Sequence, residues 1–498
     1  MPNIKIDDKS LSVEEGALLI EVMLKNGIPI PHFCYHESLG KDGNCRMCMV
    51  EIEGQKRPQI ACDTPVKEGM VVRTKGKKIE KTKQGILELE LINHPLDCPV
   101  CDQAGECKLQ DYYMDIGLYD SRLDTEKVKA KKQIHLGSEI MLDQERCVLC
   151  KRCVRFTEIY TKTNDLIVEK RSDRSVISTF PGKKFENNYS GNVVDLCPVG
   201  ALTDRDFRFK KRVWFLKHGR GLCMECSRGC NIRVDHHKSK YQDDIIYRFK
   251  PIRNDKVNGF FICDYGRYSY KKENMDRLYD SFVDAKKEDL GIALQECEQV
   301  LKTDPLLVLS ASLSLEELAY IKRFSEKRGL RAVVPIEGIK DEDFQDTLLR
   351  TNQRASNLNG VLLLGLETVE NLENELREYD SVILLGYEPK KEEFLSKKIV
   401  YFGTKDRYIS SNYINIPIAS TYEKEGLYIN CDWILQKSEK IIQKDLQPKT
   451  LLELLSHFEK EYMNEQKVFD EILVKMDELS GILLSDIENG GCRLRGDR

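Results

Sequence analysis

At 498 residues, 41% of them hydrophobic, the chain is long enough for three or more separately cored globular domains. Its 78 Lys and Arg against 82 Asp and Glu leave a net charge of −4, which excludes a field that would by itself recruit nucleic acid or an anionic membrane. No apolar run reaches the ~20 residues of a spanning helix, and the opening Met1-Pro2-Asn3-Ile4-Lys5 lacks the apolar core of a signal peptide, so a cytoplasmic chain without membrane insertion is expected.

Residues 3–6 and 10–13 alternate like two short strands, and 17–26 read as a helix stopped by Gly27, beyond which Pro29 and Pro31 forbid continuation. To about residue 75, short β-rich pieces (Met49–Ile52, Val71–Thr74) alternate with Gly-containing loops, as in a small sheet wrapped around a ligand site. A helix fits 78–92, with Ile79, Ile86 and Leu89 on one side, and stops at Asn93-His94-Pro95. Residues 122–133 are a Lys-rich connector, read as a solvated linker. A Cys-bearing unit with a long internal insertion fills 140–217, and a further unit runs from about 218 to 276. Beyond it, apolar runs alternate with helices: Leu306–Leu309, a helix from Leu315, then Ala332–Pro335, Val361–Leu364, Ser381–Leu385 and Ile399–Phe402. Ser314 and Glu317 make a capping box for that helix, and Gly329 follows its end. Short buried strands alternating with helices imply a parallel α/β sheet. Neither G-x-G-x-x-G nor G-x-x-x-x-G-K-[ST] occurs, so a dinucleotide or NTP site of the usual kinds is not expected.

The 18 cysteines are lopsided: fifteen lie between Cys34 and Cys263, and the remainder of the chain holds only Cys297, Cys431 and Cys492. In a reducing compartment they are not a disulfide framework, so the first half has a use for thiolates that the second lacks. They sort into four sets. Cys34, Cys45, Cys48 and Cys62 form the first, with Gly40 and Gly43 loosening the loop so that backbone amides can approach sulfur; the pattern resembles a [2Fe–2S] site, although four thiolates also suit Zn²⁺. The second is His94, Cys98, Cys101 and Cys107, in which an imidazole could supply the fourth ligand that three thiolates leave missing from a [4Fe–4S] cube. Cys147, Cys150 and Cys153 are the dense ferredoxin run, with Cys197-Pro198 as its remote Cys-Pro element. Cys223, Cys226, Cys230 and Cys263 form the fourth set, where zinc again competes. Fifteen cysteines and one histidine fill four tetrads with none left over.

These residues resemble the large iron–sulfur subunit family of respiratory complex I, the G subunits of bacterial NADH:quinone oxidoreductase. The resemblance rests on His94-Pro-Leu-Asp-Cys-Pro-Val-Cys-Asp-Gln-Ala-Gly-Glu-Cys107, on Arg146-Cys-Val-Leu-Cys-Lys-Arg-Cys-Val-Arg-Phe156 and on Ser190-Gly-Asn-Val-Val-Asp-Leu-Cys-Pro-Val-Gly-Ala-Leu-Thr203, and covers about residues 1–270. It implies an α+β first half, with a β-grasp [2Fe–2S] domain at 1–77, a His/Cys₃ [4Fe–4S] segment at 78–121 and a ferredoxin-like [4Fe–4S] unit at 138–217. An additional [4Fe–4S] domain of molybdoenzyme type follows at 218–276, then a degenerate α/β domain with a parallel sheet, similar to molybdopterin oxidoreductases, at 277–498. The best trace of that last domain is Glu425-Gly426-Leu427-Tyr428-Ile429-Asn430 ahead of Gln436, with Leu427 where the family usually has Thr and Asp432-Trp433-Ile434 in a later place; no molybdenum cofactor is expected. The resemblance implies iron at all four sets: one [2Fe–2S] and three [4Fe–4S] clusters. It further implies an electron relay running from a flavin/NADH-binding subunit through the Cys34, Cys147 and His94 sets towards a quinone-side iron–sulfur subunit, on the cytoplasmic side of the inner membrane and held there by partners. The Cys223 set is expected to be mainly structural. The alternatives are an iron–sulfur subunit of an NAD-linked hydrogenase or formate dehydrogenase, and a zinc-stabilised scaffold without redox function.

Overall fold

The structure is a computed structural model and describes residues 1–388, 397–461, 463–475, 477–479, 482, 484–488 and 490–494. Two units divide the chain, Met1–Phe215 and Leu216–Arg498.

In the first unit, alternation sends Ile4 and Ile6 inward from strand β1 (Asn3–Ile6), which pairs antiparallel with β2 (Lys9–Ser12). Helix α1 (Leu19–Lys25) buries Leu19, Ile20, Val22 and Met23 and is followed by Gly27, whose φ of 65° is the left-handed geometry that glycine adopts without strain. Strands β3 (Met49–Ile52), β4 (Gln59–Ile60) and β5 (Val71–Arg73) complete a sheet of order β2-β1-β5-β3-β4, in which β1 and β5 run parallel. Cys48 and Cys62 belong to the apolar core of this sheet and helix, so closing that core already sets two candidate ligands in place.

Helix α2 (Lys77–Leu91) buries Ile79, Lys83 and Leu87 rather than an Ile79/Ile86/Leu89 side, and Leu89 is 70% exposed. Residues four apart share a stripe. Lys83 tolerates burial because its Nζ donates to the Thr74 carbonyl at 2.9 Å. Helix α3 (Lys108–Ile116) comes before the Lys-rich connector, which is mostly exposed but is more than a solvated linker. Lys127 Nζ donates to the carbonyls of Leu91 and Ile92 at the end of α2, at 2.8 and 2.9 Å, and Lys132 pairs with Asp97 at 2.9 Å and Glu145 at 2.8 Å. Orphan carbonyls at a helix end are natural acceptors for such a lysine. Strands β6 (Ile134–His135) and β7 (Ile140–Leu142), helix α4 (Arg152–Arg155), strands β8 (Leu166–Glu169) and β9 (Val176–Thr179), helix α5 (Asn192–Leu196) and strand β10 (Leu202–Asp204) follow. The sheet β10-β7-β6 carries the ferredoxin run, and the internal insertion holds the antiparallel pair β8–β9.

In the second unit, β11 (Lys217–Leu222), β12 (Asn231–Lys238) and β13 (Asp244–Pro251) form an antiparallel meander, followed by short helices α6 (Asp264–Arg267) and α7 (Tyr270–Asn274). An eight-stranded sheet comes next, built from β14 (Ser281–Val283), β15 (Lys286–Glu288), β16 (Leu306–Leu309), β17 (Ala332–Pro335), β18 (Glu367–Val369), β19 (Ser381–Leu385), β20 (Lys398–Gly403) and β21 (Tyr413–Pro417). Its order is β15-β14-β21-β20-β19-β16-β17-β18, and the six strands from β21 to β18 pair in parallel. Every residue of β16 and β19 is buried, as strands covered on both faces require.

Between β15 and β16 lies helix α8 (Leu290–Leu301), and between β16 and β17 lies α9 (Leu315–Arg328). The Ser314/Glu317 capping box is formed, and Gly329 closes α9 at φ 68°. The apolar run Val361–Leu364, expected as a strand, lies instead in helix α10 (Leu358–Leu363) and the residue after it, burying Asn359, Gly360 and Val361 while Leu362 faces out. A four-residue apolar run has no period to tell the two apart. The edge position goes to β18, whose Glu367 and Thr368 suit an exposed margin. Helix α11 (Leu372–Leu376) precedes β19, and strands β22 (Gly426–Ile429), β23 (Ile434–Ser438) and β24 (Cys492–Arg493) form a separate antiparallel sheet of that order. Among the described residues, no helix is long and apolar enough to cross a membrane.

The capping box gives a direct test of the second unit. Ser314 is fully buried, and its hydroxyl accepts from the Glu317 N–H at 3.3 Å. Ser314→Ala is expected to lower unfolding stability by about 1 kcal/mol, measured by urea titration of the purified chain, with hydrogen exchange rising first in α9.

Candidate metal centres

The first set gathers around the start of β3. Cys34 Sγ lies 3.4 Å from Cys45 Sγ, and the Cys62 thiol contacts those of Cys34 and Cys48. All four are buried. Hydrogen bonds from the Cys45 and Cys62 thiols pull Cys34 well below its ordinary value, the Cys62 thiol pulls Cys48 down, and Cys45 and Cys62 are pushed up in return. The four thiols thus form one hydrogen-bonded cluster in which lowering one raises its partner. Arg46, between Cys45 and the second pair member Cys48, has φ 56°, and the N–H groups of Phe33 and Cys34 both point to Cys45 Sγ at 3.4 Å. Left-handed residues between right-handed ones turn successive N–H groups towards one anion.

In the second set Cys101 and Cys107 are buried, Cys98 is exposed and His94 is half-buried. Burial pushes the Cys107 thiol up to about 11 and drags the His94 imidazole down to about 4, so His94 is a neutral donor at neutral pH. His94 and Cys101 both feel the charges of Asp97 and Arg146. Arg146 grips Asp97 through two hydrogen bonds, of 3.2 and 2.7 Å, and although burial opposes it, these bonds and one from Lys132 hold the carboxyl down at about 2.

The third set is enclosed. Cys147, Cys150, Cys153 and Cys197 line one cavity with Leu142, Val148, Ile177, Val199 and Leu202. Burial pushes all four thiols up, and each is raised or lowered by charges within the same cage. Leu149 and Lys151 adopt φ 47° and 57°, the Leu149 N–H points to Cys147 Sγ at 3.4 Å, and Cys197 receives the N–H groups of Leu202, Val199 and Ala201. The fourth set spans the turn between β11 and β12, with Cys223 N–H bonded to the Cys230 carbonyl at 2.9 Å and Cys226 between them, and is completed by Cys263 ahead of α6, whose sulfur accepts from the Gly266 N–H at 3.4 Å.

Two glycines give these sites room. A Cβ at Gly200 would run into Cys101 Sγ, and one at Gly266 would lie 2.7 Å from Cys223 Sγ and 3.6 Å from Cys263 Sγ. Such N–H cradles and side-chain-free approaches suit a sulfur-rich anion. Among the described residues, no group of three or more His, Cys, Asp or Glu side chains is already drawn in around one metal-ion position.

Sequence reasoning missed the groups that join the sets. Asn44 Nδ2 reaches the Leu149 carbonyl at 2.7 Å, Arg152 bridges the carbonyls of Tyr35 (2.5 Å) and Leu196 (3.3 Å), and Arg155 binds the carbonyls of Leu39, Gly40 and Cys34. The first and third sets are therefore stitched together. The Lys108 N–H, next to Cys107, bonds the Pro198 carbonyl, next to Cys197, at 2.8 Å, which stitches the third set to the second. Arg146, Arg152 and Arg155 alternate with the cysteines of the ferredoxin run, the one sequence signal that could have marked them. Of the remaining cysteines, Cys297 is buried in α8, and Cys431 lies against the fourth set, its N–H bonded to the Ser227 carbonyl at 2.8 Å.

Comparison with known proteins decides the family. Residues 2–77 match the 2Fe-2S iron-sulfur cluster binding domain, 83–122 the NADH-ubiquinone oxidoreductase-G iron-sulfur binding region, and 137–203 the ferredoxin-like domain of NADH-quinone oxidoreductase subunit 3. The NADH-quinone oxidoreductase G subunit of Streptomyces coelicolor is 40% identical over 283 residues, 56% of this chain and 33% of that one. The G subunit of Rickettsia bellii is 31% identical over 399 residues, 78% of this chain and 55% of the relative. The chain belongs to the family of NADH-quinone oxidoreductase G subunits. A further relative in that family, the NADH-ubiquinone oxidoreductase 75 kDa subunit of Reclinomonas americana, is 31% identical over 457 residues, 88% of this chain and 63% of its own. These matches span between a third and just under two thirds of the relatives' lengths. A solved NAD⁺-reducing [NiFe]-hydrogenase chain aligns at TM-score 0.39 and 27% identity, over 43% of this chain and 91% of its own, a likeness too weak to bear on fold or function.

Two outcomes follow from the geometry. Gly200→Ala is expected to displace Cys101 and to lower bound iron by the content of one site, read by iron analysis against the unaltered protein. In the iron-free chain, diethyl pyrocarbonate should modify His94 down to about pH 4, because the buried imidazole stays neutral; a midpoint near the ordinary 6.5 would contradict the burial.

Proposed function

We propose that this member of the family is an electron relay of a proton-pumping NADH:quinone oxidoreductase. The observation that carries the reading is the stitching of three donor sets into one unit in the order Cys34 set, Cys147 set, His94 set. Cys34, Cys45, Cys48 and Cys62 would hold a [2Fe–2S] cluster. His94, Cys98, Cys101 and Cys107 would hold a [4Fe–4S] cluster, as would Cys147, Cys150, Cys153 and Cys197, and Cys223, Cys226, Cys230 and Cys263. When bound, these groups supply the one-electron carriers, and the protein supplies position and electrostatics.

The chain's own residues would do three things. Backbone N–H groups directed at Cys45, Cys147, Cys197 and Cys263 disperse negative charge and so favour the reduced state. The apolar walls of the third cavity, Leu142, Val148, Ile177, Val199 and Leu202, exclude water from the middle stop. Contacts across the loops fix the separations on which transfer depends. In the proposed layout, 1–77, 78–121 and 138–217 form the relay, 218–276 a further cluster domain and 277–498 a degenerate α/β domain without a molybdenum cofactor.

The partners would be a flavin subunit that oxidises NADH at the Cys34 end and a quinone-side iron–sulfur subunit at the His94 end, on the cytoplasmic face of the inner membrane. The fourth set is proposed to be structural. Its loop is clamped within its own unit: Ser227 N–H bonds the Gln353 carbonyl at 2.8 Å, Arg354 bonds the Glu225 carbonyl at 3.1 Å, and Gln436 bonds the Gly229 carbonyl at 3.1 Å.

In the assembled complex, NADH is expected to raise low-temperature EPR signals of one [2Fe–2S] and several [4Fe–4S] centres, and Cys34→Ser to abolish the [2Fe–2S] signal together with quinone reduction. Cys226→Ala should leave NADH oxidation per assembled complex within about twofold. Collapse of turnover in a normally assembled Cys226→Ala complex would refute the structural assignment.

A further inference from the structure

Two arginines lie where the first and third sets meet, and they differ from the other basic residues near cysteine. Lys151, Lys132 and Arg146 are each paired with a carboxylate. Arg152 and Arg155, on α4 either side of Cys153, are not: among the described residues their guanidinium groups meet only carbonyl oxygens. Arg152 takes those of Tyr35 and Leu196, and Arg155 those of Leu39, Gly40 and Cys34. The Nε atom of each is buried without a hydrogen-bond partner. Guanidinium stays protonated under all ordinary conditions. Two positive charges, three residues apart, Arg155 buried and Arg152 partly buried, thus meet no carboxylate among the described residues, a costly arrangement unless an anion faces it.

The anion is at hand. Arg152 and Arg155 both act electrostatically on the Cys150 thiol, Arg152 also on Cys197, and the two arginines bind the backbone of the Cys34 loop itself. We infer that Arg152 and Arg155 are the shared counter-charge of the first and third centres, holding their loops in register and raising the reduction potential of both. This rests on the cluster assignment above. Carbonyl oxygens orient the guanidinium groups without neutralising them, so the full charge remains to stabilise an arriving electron on either side. A carboxylate partner would have cancelled it. They are positioning residues with an electrostatic role, and neither need touch the cofactor.

The test is an EPR-monitored redox titration of the full chain, unaltered and as Arg152→Gln, Arg155→Gln, Arg152→Lys and Arg155→Lys. At a fixed poise, each glutamine variant is expected to lower the reduced-to-oxidised ratio of the [2Fe–2S] signal by about tenfold, a shift of 59 mV for a one-electron couple. The fourth-set signal, assigned as the one lost in Cys226→Ala, should stay within about twofold. The lysine variants keep the charge but lose the forked contacts, and should hold the [2Fe–2S] ratio within about threefold of the unaltered chain. Unchanged ratios in the glutamine variants would overturn the inference, as would a tenfold fall in the lysine variants. Should the glutamine variants load no iron, the lysine pair decides alone: a ratio held within threefold supports the inference and a tenfold loss ends it. Absence of any iron–sulfur signal from the unaltered chain would instead sink the cluster reading itself.

Discussion

Buried sulfur in quantity has to be reconciled with the poor solvation of charge inside a protein, and every site in this chain is arranged around that constraint. A thiolate in an apolar interior is costly. The thiols of the third set and Cys223, Cys230 and Cys263 of the fourth are pushed up by burial, and in the first set hydrogen bonds between the thiols pull Cys34 and Cys48 down and push Cys45 and Cys62 up. The backbone answers with N–H groups turned inward by left-handed residues at Arg46, Leu149 and Lys151. Such conformations are unfavourable for residues with a Cβ, and their recurrence between the candidate ligand cysteines marks a geometry held by its surroundings.

The same constraint explains why the sites are linked to one another and to their cores. Cys48 and Cys62 are part of the packing beneath the first sheet, so the fold of residues 1–77 and the first site form together. The third site is roofed by apolar side chains and bound on one side to the Cys34 loop and on the other to the segment after Cys107. Separations fixed by direct hydrogen bonds do not drift with surface motion, which is what stepwise electron transfer between fixed stations demands. The fourth site is anchored differently, by the 349–354 and 430–436 segments of its own unit, in keeping with a role in holding that unit together.

Much of this is legible in the order of residues. Cysteine spacing alone proposes the sets of thiols, because metal clusters impose loop lengths that other uses of cysteine do not. The capping box at Ser314 and the stop at Gly329 are equally plain, since both depend on local chemistry. What escapes is whatever depends on tertiary company. Val361–Leu364 is apolar enough for a strand, yet the sheet edge is taken by the polar Glu367–Val369, and only packing decides between them. Helix 77–91 buries Lys83 because a carbonyl awaits it. Lys127 and Lys132 look like linker solvation until their acceptors are seen. The arginines of the ferredoxin run are visible as letters, but nothing in the sequence says that their partners are carbonyls rather than carboxylates.

The central claim is that these four donor sets exist to hold iron and sulfide, and the most direct measurement is the metal and acid-labile sulfide content of the chain purified without oxygen. Iron and sulfide are expected in about equal amounts, with a brown protein and zinc well below one equivalent. A colourless protein carrying several equivalents of zinc and no labile sulfide would contradict that claim.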